Sequence, residues 1–565
     1  MSRNVLTLST ILLLGACGSG EDATPYAGSS SDGPGFHVDL PGADQLSEAR
    51  LREGIATLAA DEFEGRSPSS PGEALTVAYL IQEFEAAGLE PGNEGSWTQD
   101  VPLVSITVAG SPSMTVSGHG TSTELEMGRD FTAGTKRVVD QVSLDESEMV
   151  FVGYGIVAPE YGWNDYEGLD MAGKTAVILV NDPGYATQDE ALFRGFAMTY
   201  YGRWTYKYEE AARQGAAGAI VVHETGPAGY PWGVVETGWT GPQFGLVAED
   251  NNMSRAAVES WITMDVATDL FAKAGLDYEE LRDAAAVPGF APVPLGLSAS
   301  VTLENEIERS TSQNVIAMIP GSERPDEYVI YAGHWDHLGV SPDESLEDRI
   351  YYGALDNATG TSALLELARA FKSLDAAPAR SVVFMPVTAE EQGLLGSEYY
   401  ASNPVFPTSQ TVAAINIDGL NIHGSMRDLV VVGYGASELD AVLEEWASSV
   451  GRVLRPDPEA EKGFYYRSDH FNFAKVGIPA LYTDAGIDHV VHGEEWTLAR
   501  REEYTAQNYH QPSDEYDPAW DLAGAMDDLH LYYAVGYDLA NSDAWPNWRA
   551  GNEFKAARDA DRPGS

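Results

Sequence analysis

The spacing of apolar residues changes twice along this chain. Between Asp44 and Leu89 it is helical: Leu51, Ile55, Leu58 and Ala59 form one stripe, and Val77, Leu80, Ile81, Phe84 and Ala87 form a second that Gly88 ends. From roughly Thr107 to Val301, short β-rich runs such as Met149 to Val152 and Thr175 to Val180 alternate with Gly/Pro turns. A helix near Tyr206 to Gln214 leads into Ala219-Ile220-Val221-Val222, so the pattern predicts a β-rich module with one or two helices. After Asn314 strands and helices alternate. Strands are predicted at Val315 to Ile319, Tyr328 to Ala332, Ser381 to Val387, Val412 to Ile417, Leu429 to Val432 and Pro479 to Tyr482. Helices are predicted at Thr361 to Leu374, Leu439 to Ser449 and Met526 to Asn541. That alternation predicts an α/β sandwich around a largely parallel sheet. The two N-terminal helices need a partner for their apolar faces, which assigns them to the same domain and makes the middle segment an insertion.

Composition narrows the function classes. The 565 residues include 87 acidic and 33 basic side chains, a formal charge of −54, with 44% hydrophobic and 10% aromatic residues. Such a chain folds with sizeable cores, and its surface repels a polyphosphate backbone, so no nucleic-acid partner is expected. Lysine is scarce, 8 against 25 arginines, a composition that fits either a saline habitat or lineage bias.

The first residues, MSRNVLTLSTILLLGACGSG, combine Arg3, a short apolar run from Val5 to Leu14 and small residues before Cys17. The run is too short for a spanning helix and reads as an export signal. Leu14-Gly15-Ala16-Cys17 resembles the bacterial lipobox, which implies lipidation at Cys17, membrane association through that anchor only, and a cell-envelope location. Cys17 is the only cysteine, so no intramolecular disulfide forms. The small, polar residues after it read as a flexible tether.

Several acidic and histidine side chains fall where predicted strands end: His334 in AGHWDH, Asp356 in GALDNATG, Glu390-Glu391 in VTAEEQG, Asp418 in INIDGL and, further on, His510 in YHQPSDEYD. In an open α/β sheet such loops converge on one site. Two imidazoles with several carboxylates suit divalent ions such as Zn2+, and one carboxylate can bridge two ions about 3.5–4 Å apart. Of the adjacent pair Glu390 and Glu391, one can bind metal while the other serves as general base. Asp336, two residues after His334, is placed to orient that imidazole or its loop.

The ordered set AGHWDHLG, GALDNATG, TAEEQGLLGS, INIDG, RSDHFNFAKVGIPA and YHQPSDE resembles the M28 family of zinc exopeptidases. The resemblance implies that His334 and Asp418 hold one zinc, Glu391 and His510 the other, and that Asp356 bridges them; Co2+ or Mn2+ also suit these ligands. It implies Glu390 as general base and Asp336 as the carboxylate behind the ligands. Tyr509 either donates its hydroxyl to an oxyanion or packs as an aromatic. Ser468, Asp469 and His470 resemble the family's pocket-lining segment, with His470 either behind the ligands or on the substrate side, and Arg467 is a candidate for binding a substrate carboxylate. His337, His489 and His492 lie near these loops and either line the pocket or, as is commoner for such histidines, are solvated loop residues.

The middle segment, with VGYGIVAPEYGWNDYEGLDMAGKTAVILV and YKYEEAARQGAAGAIVVHET, resembles a protease-associated (PA) domain. Its aromatics Tyr200, Tyr201, Trp204, Tyr206 and Tyr208 either pack internally or overhang the site. The expected organisation is a signal segment over 1–17, a tether over 18–43, catalytic parts over 44–106 and 305–545, the insertion over 107–304 and a loosely held tail over 546–565. The implied fold is a three-layer α/β sandwich with a mostly parallel central sheet plus an inserted β-rich domain. The implied activity on peptide substrates is that of an aminopeptidase, with a carboxypeptidase or dipeptidase, or a glutaminyl-cyclase-like aminoacyl cyclotransferase, as alternatives.

Overall fold

The computed structural model describes residues 35–562; Cys17 and the signal segment lie outside them. Its first helix, Glu48–Leu58, starts where the Ser47 hydroxyl accepts the Arg50 N–H, and Pro71–Ala87 starts at Ser70 in the same way. Gly88 ends the second helix with a left-handed φ of 85°. Leu51, Ile55, Leu58, Val77, Leu80 and Phe84 are buried in one apolar cluster with Val329, Tyr331, Phe384 and Ile415.

Those last four lie in an eight-stranded sheet. Its order is Glu90–Pro91, Ala317–Ile319, Arg380–Val387, Arg324–His334, Thr411–Asn416, Ala480–Asp484, Asp428–Val431, Val453–Pro456. The four strands from Arg380–Val387 to Ala480–Asp484 are mutually parallel, and antiparallel pairings flank them. Arg380–Val387 and Thr411–Asn416 are buried at every position, as a sheet covered on both faces requires. Helices Glu48–Leu58, Pro71–Ala87, Thr359–Lys372 and Ala523–Asn541 pack on one face. On the other, Ile330, Ala332, Val383 and Met385 meet Tyr400 and Phe473 from helices Leu395–Ser402 and His470–Lys475. The result is a three-layer sandwich.

A second sheet, of ten strands, is built mostly from the segment between. It contains a parallel run through Gln141–Phe151, Thr175–Leu179, Gly218–His223 and Val258–Thr263. Parallel neighbours require crossovers, and this segment carries six helices, from Pro183–Thr187 to Tyr278–Ala285, where one or two were expected. None exceeds 10 residues, too short to imprint a clear helical period. Tyr206 and Tyr208 are buried in this module, and Tyr200 packs on Phe471 at 5.0 Å between ring centres. These aromatics pack internally or against helix His470–Lys475.

Two expectations about the termini are corrected. The stretch read as tether up to residue 43 is docked from Phe36 onward: Phe36 N–H donates to Asp527 Oδ1 at 2.8 Å, Val38 is buried, and the Pro41 carbonyl accepts the Tyr533 hydroxyl at 2.6 Å. The tail beyond residue 546 is also held, because Trp548 and Phe554 are buried and Arg558 donates to the carbonyls of Thr408, Thr411 and Val412. Few apolar residues suffice there because hydrogen bonds and two aromatic anchors carry the contact. Among the described residues no helix is long and apolar enough to cross a membrane.

Candidate active site

The parallel strands deliver the site residues. Arg324–His334 ends on His334, Arg380–Val387 is followed by Thr388-Ala389-Glu390-Glu391, and Thr411–Asn416 by Ile417-Asp418. Asp356 sits in the irregular turn Ala354–Ala358 before helix Thr359–Lys372. Asn357 ties these loops together: its Oδ1 accepts the N–H of Gly360 at 2.8 Å and of Gly419 at 2.9 Å, and its Nδ2 donates to the Ile417 carbonyl at 3.0 Å. A Cβ on Gly360 would lie 2.3 Å from Asn357 Oδ1 and 2.5 Å from the Ile417 carbonyl, so only glycine fits there. Ala389 and His510 hold left-handed φ of 54° and 57°, a conformation uncommon for non-glycine residues.

The two oxygens of Asp356 face different imidazoles: Oδ1 is 3.3 Å from His334 Nε2, and Oδ2 is 3.2 Å from His510 Nε2. His334 Nε2 is also 3.1 Å from Asp418 Oδ1, and His510 Nε2 is 3.0 Å from Glu391 Oε2. His334, Asp356 and Asp418 are close enough to hold one cation; so are His334, Glu390 and Glu391, and so are His337, Asp356 and Glu391. His510 Nε2 is buried and, although two carboxylate oxygens lie near, it makes no aligned hydrogen bond. Such converging acceptors, several without a donor between them, suit divalent cations.

Charge is tightly coupled here. Burial opposes the charged form of His334, but Asp418, Glu390 and Asp356 outweigh it and raise its pKa well above the usual imidazole value. Burial likewise opposes the charged form of His510, yet Asp356 and Glu391 lift its pKa to about 10. Burial and Asp356 would raise the Glu391 pKa, but His337 and His510 hold it near 2. Glu390 is the exception: burial, reinforced by Asp418 and Glu391, holds its carboxyl well above the usual range. Burial also pushes Asp336 up to about 8.

Asp336 acts through the loops. Its carboxylate accepts the backbone N–H of Glu390 at 3.1 Å and of Glu391 at 3.4 Å, and its main-chain carbonyl lies 3.1 Å from His334 Nδ1. The Ser468 hydroxyl donates to Asp418 Oδ2 at 2.5 Å.

The expected substrate-side residues divide. Tyr509 is 46% exposed and stacks on His510, 3.9 Å between ring centres. Arg467 is half-buried, lies 5.2 Å over the Phe464 ring and has no carboxylate partner among the described residues. Asp469 and His470 are fully buried and present no surface to a substrate. Asp469 instead accepts the Ser397 hydroxyl at 2.5 Å, and His470 is enclosed by Tyr465 and Tyr482. Their burial follows the helix they start: in His470–Lys475 the residues His470 to Ala474 are all buried, and Phe473 packs against the sheet.

Two residues join the site that sequence reasoning passed over. Of its two readings, pocket-lining or solvated, His337 takes the one inside the site: it is fully buried, with Nδ1 2.6 Å from Glu391 Oε1. Asp514 accepts the backbone N–H of Leu355 at 3.1 Å and of Asp356 at 3.2 Å, and the Tyr504 hydroxyl at 3.2 Å. His337 stood in the quoted AGHWDH motif and Asp514 in YHQPSDE, but their partners lie far away along the chain.

The model of Peptidase family M28 matches residues 314–534. Aminopeptidase NAALADL1 of Mus musculus is 36% identical over 139 residues, 23% of this chain and 17% of the mouse protein, so the match spans about a sixth of that relative. The probable glutamate carboxypeptidase AMP1 of Arabidopsis thaliana is 25% identical over 264 residues, 44% of this chain and 32% of that protein. Among solved structures, an aminopeptidase from Aneurinibacillus sp. strain AM-1 has 21% identity and a TM-score of 0.49, covering 89% of this chain and 96% of its own. The match to Peptidase family M28 spans residues 314–534, the segment that carries His334, Asp356, Glu391, Asp418 and His510.

Proposed function

We propose that this chain is a two-zinc exopeptidase that removes residues from the N-terminus of peptides. The observation that carries the reading is the division of Asp356 between two imidazoles, at 3.3 Å from His334 and 3.2 Å from His510. On this reading Asp356 bridges, His334 and Asp418 complete one position, and Glu391 and His510 complete the other. Bound ions would supply Lewis acidity toward a peptide carbonyl and toward water. The protein supplies the rest. The Glu390 carboxylate takes part in no hydrogen bond among the described residues, which leaves it to take a proton from the attacking water and pass it to the leaving amine. Its raised pKa suits that exchange. Tyr509 is exposed and stacked on His510, and on this reading its hydroxyl donates to the oxyanion.

The charge balance favours a substrate amine over a carboxylate. The chain carries −54, and carboxylates dominate the ligand cluster, a field that attracts an α-ammonium group. A carboxypeptidase reading rests on Arg467, whose unpaired guanidinium is the feature that a free C-terminus would need. We read the ten-stranded module as PA-type on its sequence resemblance, and Cys17 as the anchor of an envelope lipoprotein.

The test is hydrolysis of aminoacyl-nitroanilides beside N-acetylated and C-amidated peptides, before and after chelation and zinc restoration. Zinc-restorable cleavage that requires a free N-terminus supports the reading. Cleavage that requires a free C-terminus transfers it to the carboxypeptidase, and uptake of one ion with no hydrolysis favours the cyclotransferase.

A further inference from the structure

Arg66 belongs to none of the ligand motifs. It closes the turn Asp61–Arg66 between the two N-terminal helices and is 1% exposed. Its Nε donates to the Trp335 carbonyl at 2.9 Å, Nη1 to the carbonyls of Leu58 and Tyr352 at 2.7 Å each, and Nη2 to that of Gly353 at 2.8 Å. Its own carbonyl accepts the His337 N–H at 3.4 Å. Trp335 stands between His334 and Asp336, whereas Tyr352 and Gly353 lead into the turn that carries Asp356. One rigid, planar fork therefore spans the loop of one expected metal ligand and the loop of another.

The approach is built for closeness. A Cβ on Gly65, whose φ is 63°, would lie 2.4 Å from the Tyr351 carbonyl and 2.7 Å from that of Gly339. Arg66 has no carboxylate within ion-pair distance among the described residues. Its N–H groups meet only main-chain oxygens, so geometry rather than charge pairing is what they specify.

Arg558 provides the contrast. It is equally buried and also donates to three carbonyls, but these belong to Thr408, Thr411 and Val412, at the start of strand Thr411–Asn416 and so at the opposite end from Asp418. Carbonyl clamping by buried arginine recurs in this fold; among the described residues only at Arg66 do the clamped carbonyls belong to ligand loops.

We propose that Arg66 is a positioning residue that fixes the separation of His334 from Asp356 and so preorganises the metal site. The inference rests on the two-metal reading above. Its test uses the full chain, stripped of metal and titrated with zinc against a competing chelator, for the wild type, Arg66→Met, Arg66→Lys and Arg558→Met. Both Arg66 variants are expected to bind zinc about 10- to 100-fold more weakly, since a lysine keeps the charge but not the fork. The visible spectrum of the Co2+-loaded Arg66 variants is expected to shift. Arg558→Met is expected to melt earlier with unchanged zinc affinity. Where Arg66→Met does not fold, Arg66→Lys decides. Tight wild-type uptake that neither Arg66 substitution weakens overturns this inference alone, whereas no zinc uptake by the wild type overturns the metal reading and the inference with it.

Discussion

In the ten-stranded module Lys207 is fully buried, yet its ammonium donates to the Tyr154 carbonyl at 2.7 Å. Asp182, also buried, accepts the Thr199 hydroxyl at 2.7 Å and the Gly184 N–H at 3.0 Å. Burial lowers the Lys207 pKa to about 7, and Asp182 and Asp165 oppose that fall. At the strand ends of the eight-stranded sheet the titratable groups meet one another instead. There imidazole nitrogens and carboxylate oxygens crowd together, and among the described residues His337 Nε2 and His510 Nε2 have no hydrogen-bond partner. Buried charge that finds its donors and acceptors is architecture. Buried acceptors that face one another form a site that a cation completes.

If that distinction is right, substitutions in the two regions separate cleanly. Glu390→Gln should lower turnover about 100- to 10,000-fold while the protein keeps its fold and its zinc content, read by steady-state kinetics beside metal analysis. Full turnover would remove Glu390 from the proton-transfer role and blunt the contrast. In the module, Asp182→Ala strips Lys207 of an attracting charge and Thr199 of its acceptor. It should cost about 3 kcal/mol or more in denaturant unfolding, with zinc affinity unchanged. His337→Ala lies between the two: loss of the contact to Glu391 Oε1 should weaken zinc binding about 10- to 100-fold with little change in melting temperature. A variant that melts early but binds zinc normally would return His337 to the architectural class.

The smallest effect concerns pH. Burial lowers the His470 pKa from 6.5 to about 3. Between those values the unfolded chain takes up a proton that the folded protein refuses, so stability falls as pH drops through that window. His470→Leu should flatten the slope of unfolding free energy between about pH 6.5 and 4, a range in which one pH unit is worth about 1.4 kcal/mol per proton. An unchanged slope would mean that this histidine is not held neutral.

Much of this was legible because local pattern and fold agree. The helix predicted at Leu439 to Ser449 forms over Leu439–Ser449, and the strand predicted at Ser381 to Val387 forms within Arg380–Val387. The strand-end rule groups His334, Asp356, Glu390, Glu391 and Asp418 from the sequence alone. Other features were illegible for definite reasons. Arg66 and His337 act through partners that periodicity does not encode: the Arg66 contact to Gly353 crosses 287 positions, and the His337 contact to Glu391 crosses 54. Asp469 and His470 sit in a motif that resembles a pocket wall, and only the burial of helix His470–Lys475 shows that they present no surface to a substrate. The short helices of the module escaped because one or two turns rarely establish a period.

One strand has a consequence of another kind. Val293–Val315 runs for 23 residues, and its last part pairs antiparallel with Thr98–Val108, from Thr98 opposite Val315 to Val108 opposite Asn305. Just beyond, the Ala109 N–H donates to the Glu304 carbonyl at 2.8 Å. Everything between those two residues departs and returns through one ladder rung, so its removal would leave two ends already touching, ready for a tight hairpin. A segment mounted in this way is a cassette: evolution or an engineer can lengthen, exchange or delete it with little change in the entropy of closing the sheet below. Force applied to it would travel down that ribbon in shear and across its side contacts, the pairing of Gln243–Leu246 with Thr98–Val108 and the packing of Tyr200 on Phe471.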